Sequence, residues 1–419
     1  MLPRVTQLLT PVVAIALLAC GSESKRPEVG ERIRLWHTFN PSETRELNRT
    51  VLAGAKLRVE STLLPFGRAQ TILVQALQNK TDCPDLARID ATWLPRLAGL
   101  DALQPPPRSI AATHRWLPEA FSLASIDGKQ LALPQGIDGL ALIHRKTTAA
   151  AAGLDWPPKT IDTLLADARR MTQGGNYGLA VRRDGYWFVA FLRAWGGEVV
   201  DPKTGALNID SDVAVRALKR FARLFGPKGV APSPSRVERE ASDHARGFRS
   251  NTIKVVLDGP WAVSALGGGS AKGLAVTPFP AGPNGGAAPR GGQLLVVPRC
   301  AKKPEAAWKL ALALVAPDLQ ADWGQRYGLV PTTQKGLAGA GAFTQQFYRA
   351  LQEARPLPRH PVSAELFDDL NPAISAVISG DATAEEALAG VRRAWTRLLK
   401  RHGVIVKQDV KQEKDAGTP

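Results

Sequence analysis

Six histidines are the first candidates for acid–base or metal chemistry in this 419-residue chain: His37, His114, His144, His244, His360 and His402. No two of them form an H-x-x-x-H or H-E-x-x-H pattern, the spacing that sets two ligands on one helix face. No G-x-S-x-G elbow and no phosphate-binding loop occurs. Adjacent acids such as Asp368-Asp369 are ordinary on surfaces. A glycosidase needs two carboxylates facing each other across a sugar, and nothing in the spacing marks such a pair. Cys83 and Cys300 have no nearby His or second Cys that would suggest a metal. The chain therefore reads as a protein without a catalytic set, a metal or a cofactor.

The elements that must carry any site begin after a distinct N-terminus. Residues 8–19 are apolar apart from Thr10 and Pro11, and Arg4 is the only charge before Cys20. That run is too short for a bilayer span, which takes about 20 residues, and fits the apolar core of a signal peptide. It ends Leu17-Leu18-Ala19-Cys20, which resembles a bacterial lipobox. The reading is a signal peptide over 1–19, lipidation of Cys20, and a polar tether over 20–31 (after Cys20, GSESKRPEVGE). The formal charge of +16 could serve nucleic acid or an anionic membrane. The basic residues are dispersed, except near Arg392 to Arg401, and do not interleave with aromatics, so nucleic acid is excluded and a membrane surface or polar solutes remain.

Beyond the tether, strands and helices alternate. Ile33-Arg34-Leu35-Trp36 is an apolar run ending in a loop, with Ser42 as a helix cap. Leu57–Leu63 alternates apolar and polar residues as a strand does. Ala69, Ile72, Leu73, Ala76 and Leu77 return at helical spacing, and Pro84–Asp90 gives a third strand. Further strands are expected at Gly128–Pro134, Leu140–His144, Ile253–Leu257, Gly273–Pro278 and Leu294–Val297. Thr160 caps a helix with Ile161, Leu164, Leu165, Ala168 and Met171 on one stripe. Ser211 starts a helix with Ala214, Ala217, Leu218, Phe221 and Leu224 on one face. Tyr186–Trp195 is apolar and aromatic up to Gly196-Gly197. Glu305–Val315 is an apolar helix that Pro317 closes. Thr383-Ala384-Glu385-Glu386 has capping-box spacing ahead of Leu388, Val391, Trp395 and Leu398. Residues 404–419 are polar and read as a disordered tail. The alternation implies an α/β architecture with helices on both faces of a sheet.

In that order the chain resembles the bacterial extracellular solute-binding proteins of the maltose-binding-protein type, which serve ABC importers. The pieces that carry the resemblance are Ile33-Arg34-Leu35-Trp36-His37, Pro84–Trp93, Asp127–Pro134, Pro157-Pro158-Lys159-Thr160-Ile161 and Asp258-Gly259-Pro260-Trp261. It implies the two-lobe periplasmic-binding-protein fold (type II), with hinged lobes and a ligand cleft between them. Lobe 1 is expected over 32–136 plus 293–337, and lobe 2 over 140–289 plus 342–400. It also implies a site. Asp138, where the chain crosses between lobes, would bond a sugar hydroxyl. Tyr186, Trp187 and Trp261 would offer ring faces, with Phe367 where the maltose pattern has a further stacking Trp. His37 and Phe39 would line the first strand-to-helix loop, and Asp90 and Trp93 the third. At Gly292 the backbone could approach the ligand.

The function so implied is that of an envelope lipoprotein, on the periplasmic side if the source is Gram-negative. It would be a monomer held to the membrane by its lipid, capturing a small solute, preferably a sugar, and delivering it to ABC permease subunits. Alternatives are a sensory or scaffold lipoprotein on the same fold, an enzyme such as a glycosidase, or a binding protein for glycerol-phosphate esters, polyamines or oligopeptides. The resemblance further implies a Cys83–Cys300 disulfide, because the returning strand near Cys300 would lie antiparallel to the third strand, which Cys83 precedes.

Overall fold

The computed structural model describes residues 32–401 apart from 53–57, 81, 234–238, 268–272, 360–362 and 364. Cys20, the signal peptide, the tether and the 404–419 tail lie outside the described residues, as do His360 and His402.

Consecutive buried residues, rather than alternating ones, mark the first sheet. In β1 (Arg32–His37), β3 (Leu86–Asp90) and β9 (Pro289–Pro298), neighbouring side chains go to opposite faces and both faces are covered. Leu35, Leu86 and Leu295 pack with Phe39, Trp308 and Trp323 on one face. Trp36, Ala87 and Leu294 pack with Leu73, Trp93 and Leu97 on the other. β2 (Arg58–Leu63) runs parallel to β1 with Ile33 opposite Val59, and β1 runs parallel to β3 with Leu35 opposite Leu86. β9 returns antiparallel to β3, with Leu294 opposite Ile89 and Gln293 opposite Asp90.

A second sheet has the order β8-β5-β7-β6, formed by β5 (Ala141–Arg145), β6 (Tyr177–Ala180), β7 (Ile253–Asp258) and β8 (Leu274–Thr277). β7 is parallel to β6 and antiparallel to β5. Its core is a separate aliphatic and aromatic cluster containing Leu142, Phe188, Phe191, Phe221, Phe248 and Trp395. Two sheets, the first packed on both faces and the second on a cluster of its own, are the two-lobe architecture expected.

β4 (Leu133–Gly139) joins the sheets. It pairs antiparallel with β9, with Asp138 opposite Gly291 and Ile137 opposite Gly292. Only Leu140 separates it from β5, and the Leu140 N–H donates to Pro289 O at 3.2 Å. Asp138 therefore sits on the floor where the chain crosses.

Helix starts follow the polar side chains that satisfy free N–H groups. Thr160 Oγ1 accepts from Thr163 N at 3.1 Å ahead of Ile161–Met171, whose buried residues include Ile161, Leu164, Leu165, Ala168 and Met171. Ser211 caps Asp212–Ala222. Thr383 and Glu386 exchange bonds as a capping box before the helix Ala384–Arg401. Three expectations shift. Asn40, not Ser42, is the cap of Pro41–Glu46, because Asn40 Oδ1 takes both Ser42 N and Glu43 N while Glu43 reaches back to Asn40 N. The Gly128–Pro134 stretch divides: Lys129–Gln130 pairs with Ser125–Ile126 in a hairpin, and Leu133-Pro134 opens β4. Pro317 opens a helix of its own, Pro317–Tyr327, where its missing N–H and fixed φ suit the first turn.

The lower end of the first sheet is tied covalently. Cys83 and Cys300 form a disulfide with Cα atoms 6.1 Å apart. Beside it, buried Asp85 accepts from three backbone N–H groups: Arg34 at 3.0 Å, Lys302 at 2.9 Å and Lys303 at 3.0 Å.

Candidate functional site

The carboxyl ends of β1, β2, β3, β6 and β7 open onto one cavity of about 630 Å³ between the sheets, within the range of about 300–1,000 Å³ typical of small-molecule sites. Open α/β sheets hold ligands at this end of their strands. A second depression of about 490 Å³ lies at the opposite end of the second sheet, beside the start of β8 and Lys146.

One wall is aromatic. Asp184 accepts from Tyr186 N at 2.8 Å and so starts the helix Gly185–Ala194, which carries Tyr186 and Trp187 in its first turn. The Tyr186 ring is the centre of the group, 6.4 Å from Trp261, 6.0 Å from Phe367 and 5.8 Å from Trp187. Trp261 follows β7 through Asp258-Gly259-Pro260, and its ring folds back over Gly259, where a Cβ would meet ring carbon at 2.2 Å. A residue other than Gly there would push the indole out of place. The opposite wall carries Trp93, with the exposed Phe66 ring 5.7 Å from it.

The floor is polar. Gln293 Nε2 donates to Asp90 Oδ2 and to Asp138 Oδ2, both at 3.2 Å. Asp90 Oδ1 also takes Thr92 N at 2.9 Å and Thr92 Oγ1 at 2.6 Å. Asp138 is pushed up to about 7, first by burial and then by the neighbouring Asp90 charge. Asp90 is raised too, chiefly by burial. Beneath them Arg88 donates to Gln135 Oε1 at 3.0 Å and Thr38 Oγ1 at 3.1 Å, with its guanidinium 4.2 Å from the centre of the Phe39 ring. Asp258 is raised to about 6 by burial, against the pull of the Arg182 charge. Among the described residues no group of three or more His, Cys, Asp or Glu is placed to hold a metal ion.

Seven expected residues line this cavity: Asp90, Trp93, Asp138, Tyr186, Trp187, Trp261 and Phe367. Trp187 does so with little surface, since its Nε1 donates to Leu257 O at 2.6 Å and Arg182 covers its ring. Three do not line it. His37 and Phe39 are buried under the floor, Phe39 edge-on to Trp323 and His37 against Phe39. His37 is lowered to about 4 by burial and then by Arg88, which leaves it neutral. Gly292 faces Gly136 and Leu123, and its neighbour Gly291 lines the cavity instead, because side chains alternate along β9.

Sequence reasoning missed Phe66, Arg88, Arg182 and Gln293. Phe66 follows the end of β2 as Trp93 follows β3, so the strand-end rule could have found it. Gln293 is invisible without the register that sets it opposite Asp90.

A two-sheet α/β molecule with a solvent-reachable, aromatic and acidic cleft at its crossing strands is a ligand-binding protein. Its residues 54–345 match the family model "Bacterial extracellular solute-binding protein", and the chain belongs to that family, one of binding proteins rather than enzymes. A Deinococcus radiodurans protein named "Probable ABC transporter-binding protein" is 27% identical over 269 residues, which are 59% of this chain and 61% of that one. The structure is similar to that of the GacH receptor of Streptomyces glaucescens, described unliganded and with acarbose and an acarbose homolog. There the TM-score is 0.77 and identity 26%, over 89% of this chain and 99% of that one. A maltose-bound T. maritima protein shares the fold, with TM-score 0.75, 23% identity, and 88% and 100% coverage. No described helix is long and apolar enough to cross a membrane.

Proposed function

We propose that this solute-binding protein captures a sugar or related polyol in the cleft by closing its lobes about the crossing strands, and hands it to an ABC permease. The observation that carries the reading is the pairing of Tyr186, Trp261 and Phe367 on one wall with the Asp90–Asp138 floor. Ring faces suit the apolar faces of a pyranose, and carboxylates accept from its hydroxyls. The lobes would divide at residues 137–139 and 290–292 and again near 338–341, and rotate about those segments. The GacH receptor and the maltose-bound T. maritima protein lend support, since both are described with saccharide-like ligands.

A thermal-shift screen of mono- and disaccharides tests it, since a ligand that binds only the folded state raises the melting temperature by mass action. At least one sugar should do so; silence across the screen, with a peptide or phosphoester active instead, would move the reading to that class.

We further propose that Cys20 is lipidated and that 20–31 tethers the globule to the membrane beside its permease, as the lipobox-like Leu17–Cys20 supports. Cys20→Ser should release the protein or block processing; normal processing with unchanged membrane association would refute it.

A further inference from the structure

The cleft is acidic in a basic protein. The chain carries a formal charge of +16, yet the cavity wall presents Glu43, Asp90, Asp138, Asp184 and Asp368 against only Arg88 and Arg182. Arg182 stacks 4.5 Å over Trp187 with its Nε buried and without a hydrogen-bond partner, and Arg88 lies under the floor with bonds to Gln135 and Thr38.

At the crossing strands the polar side chains with capacity left are chiefly carboxyl groups, while Gln70 Nε2, Arg182 Nε and Trp323 Nε1 on the surrounding wall are buried donors without a partner. Asp138 receives a single bond among those described, from Gln293 Nε2. The same nitrogen serves Asp90, and Gln293 Oε1 is buried without a hydrogen-bond partner. A group entering between Asp138 and Asp90 is favoured if it brings donors and positive charge. A hydroxyl brings one proton and no charge; an ammonium brings three N–H groups and the charge that compensates the pair. The faces of Tyr186 and Trp261 nearby attract a cation as well as a sugar ring.

Resting on the sugar-binding reading above, we propose that the natural solute carries a protonated amine, as an amino sugar or aminocyclitol does, and that this ammonium sits between Asp138 and Asp90. The groups facing Asp138 are Asp90 and Arg88 from β3, Glu43 from the helix Pro41–Glu46, Tyr186 from the helix Gly185–Ala194, and Gln293 from β9. Burial first, and then the neighbouring Asp90 charge, push Asp138 up to about 7 and keep a proton on the pair near neutral pH. An arriving ammonium removes the reason for that proton, so binding releases it.

Calorimetry on the purified protein at pH 7 tests this with glucose and maltose and with their monoamino-deoxy analogues at each ring position. At least one amine should bind about tenfold more tightly than its parent sugar, with a heat that varies with the buffer's ionisation enthalpy as the proton leaves. In Asp138→Asn and Asp90→Asn, both checked for a cooperative melt, amine and parent should come within about twofold. If the parent sugars bind and no amine binds more tightly, or if Asp138→Asn keeps the preference, the amine proposal fails and the sugar-binding reading stands. If neither series binds, both fail.

Discussion

β3 has a carboxylate at each end, and the two are treated in opposite ways. Asp85, just before its start, is saturated: three backbone N–H groups point at it, and a disulfide closes the chain beside it. Asp90, at its finish, takes two bonds from Thr92 and shares its third, a side-chain amide, with the carboxyl group of Asp138, and the amide's own oxygen has no partner. A buried carboxylate wrapped in N–H groups stabilises a fold. One crowded against a second carboxylate does not; it is held there by the rest of the structure and is left for a ligand. The lower end of the sheet is a clamp and the upper end a socket.

The largest effect expected on this contrast is at the clamp. Replacing both Cys83 and Cys300 with Ser should lower stability by about 2–5 kcal/mol with ligand affinity unchanged, as read by urea unfolding and calorimetry in parallel. Asp85→Ala should cost about 3 kcal/mol by stranding the N–H groups of Arg34, Lys302 and Lys303. It too should spare binding. A clear loss of affinity in either variant would mean that clamp and socket are coupled.

At the socket the signs reverse. Trp261→Ala should weaken binding of the solute by at least about 2 kcal/mol, as truncation of a central aromatic does elsewhere, while the melt moves little. Wild-type affinity in that variant would remove Trp261 from the site. Asp138→Asn should leave stability equal or improved, since it relieves a like-charge contact. The pH dependence carries the same information. Asp138 is raised in the folded state to about 7, so between its unfolded value near 4 and 7 the folded chain holds more protons than the unfolded one. Stability from this group therefore falls as pH rises through that window and is level above it. Denaturant titrations from pH 4.5 to 7.5 should show this fall in the parent and a shallower one in Asp138→Asn; identical profiles would mean that Asp138 does not titrate there.

The clamp and the socket were not equally legible in the sequence. Helix faces such as Leu388, Val391, Trp395 and Leu398 follow from periodicity and a capping box, which are local, and they are buried together as expected. Aromatics at strand ends, such as Trp93 and Trp261, are legible for the same reason, since the strand and the residue after it are contiguous. His37 and Phe39 also sit at a strand end, yet they turn under the floor, because Arg88 from the neighbouring strand occupies the space above Phe39. Arg88 and Gln293 act through register between strands far apart in sequence, as in Gln293 opposite Asp90, and no local pattern encodes register. Alternation along β9, set by that same register, decides that Gly291 and not Gly292 faces the cavity.

The smallest effect concerns what spans the socket. Arg96, on the helix Leu94–Gly99 beside the first sheet, lies 2.6 Å from Glu365, which precedes the helix Leu366–Ser379 of the second core. The contact is one of charge without hydrogen-bond alignment, and both side chains are partly exposed, so it contributes about 0.5 kcal/mol. It can form only while the two lobes are this close, and it adjoins Phe367 and Asp368 on the cavity wall. On the proposed hinge motion, its contribution belongs to the arrangement with the lobes this close and to whatever that arrangement binds. Arg96→Ala should weaken solute binding about two- to threefold, with the melting temperature of the empty protein little changed. Added salt should weaken binding in the parent and erase most of its advantage over the variant. A variant that binds as the parent does at low salt would show that this ion pair does not contribute to closure, and would leave the aromatic wall and the Asp90–Asp138 floor as what holds the lobes around the solute.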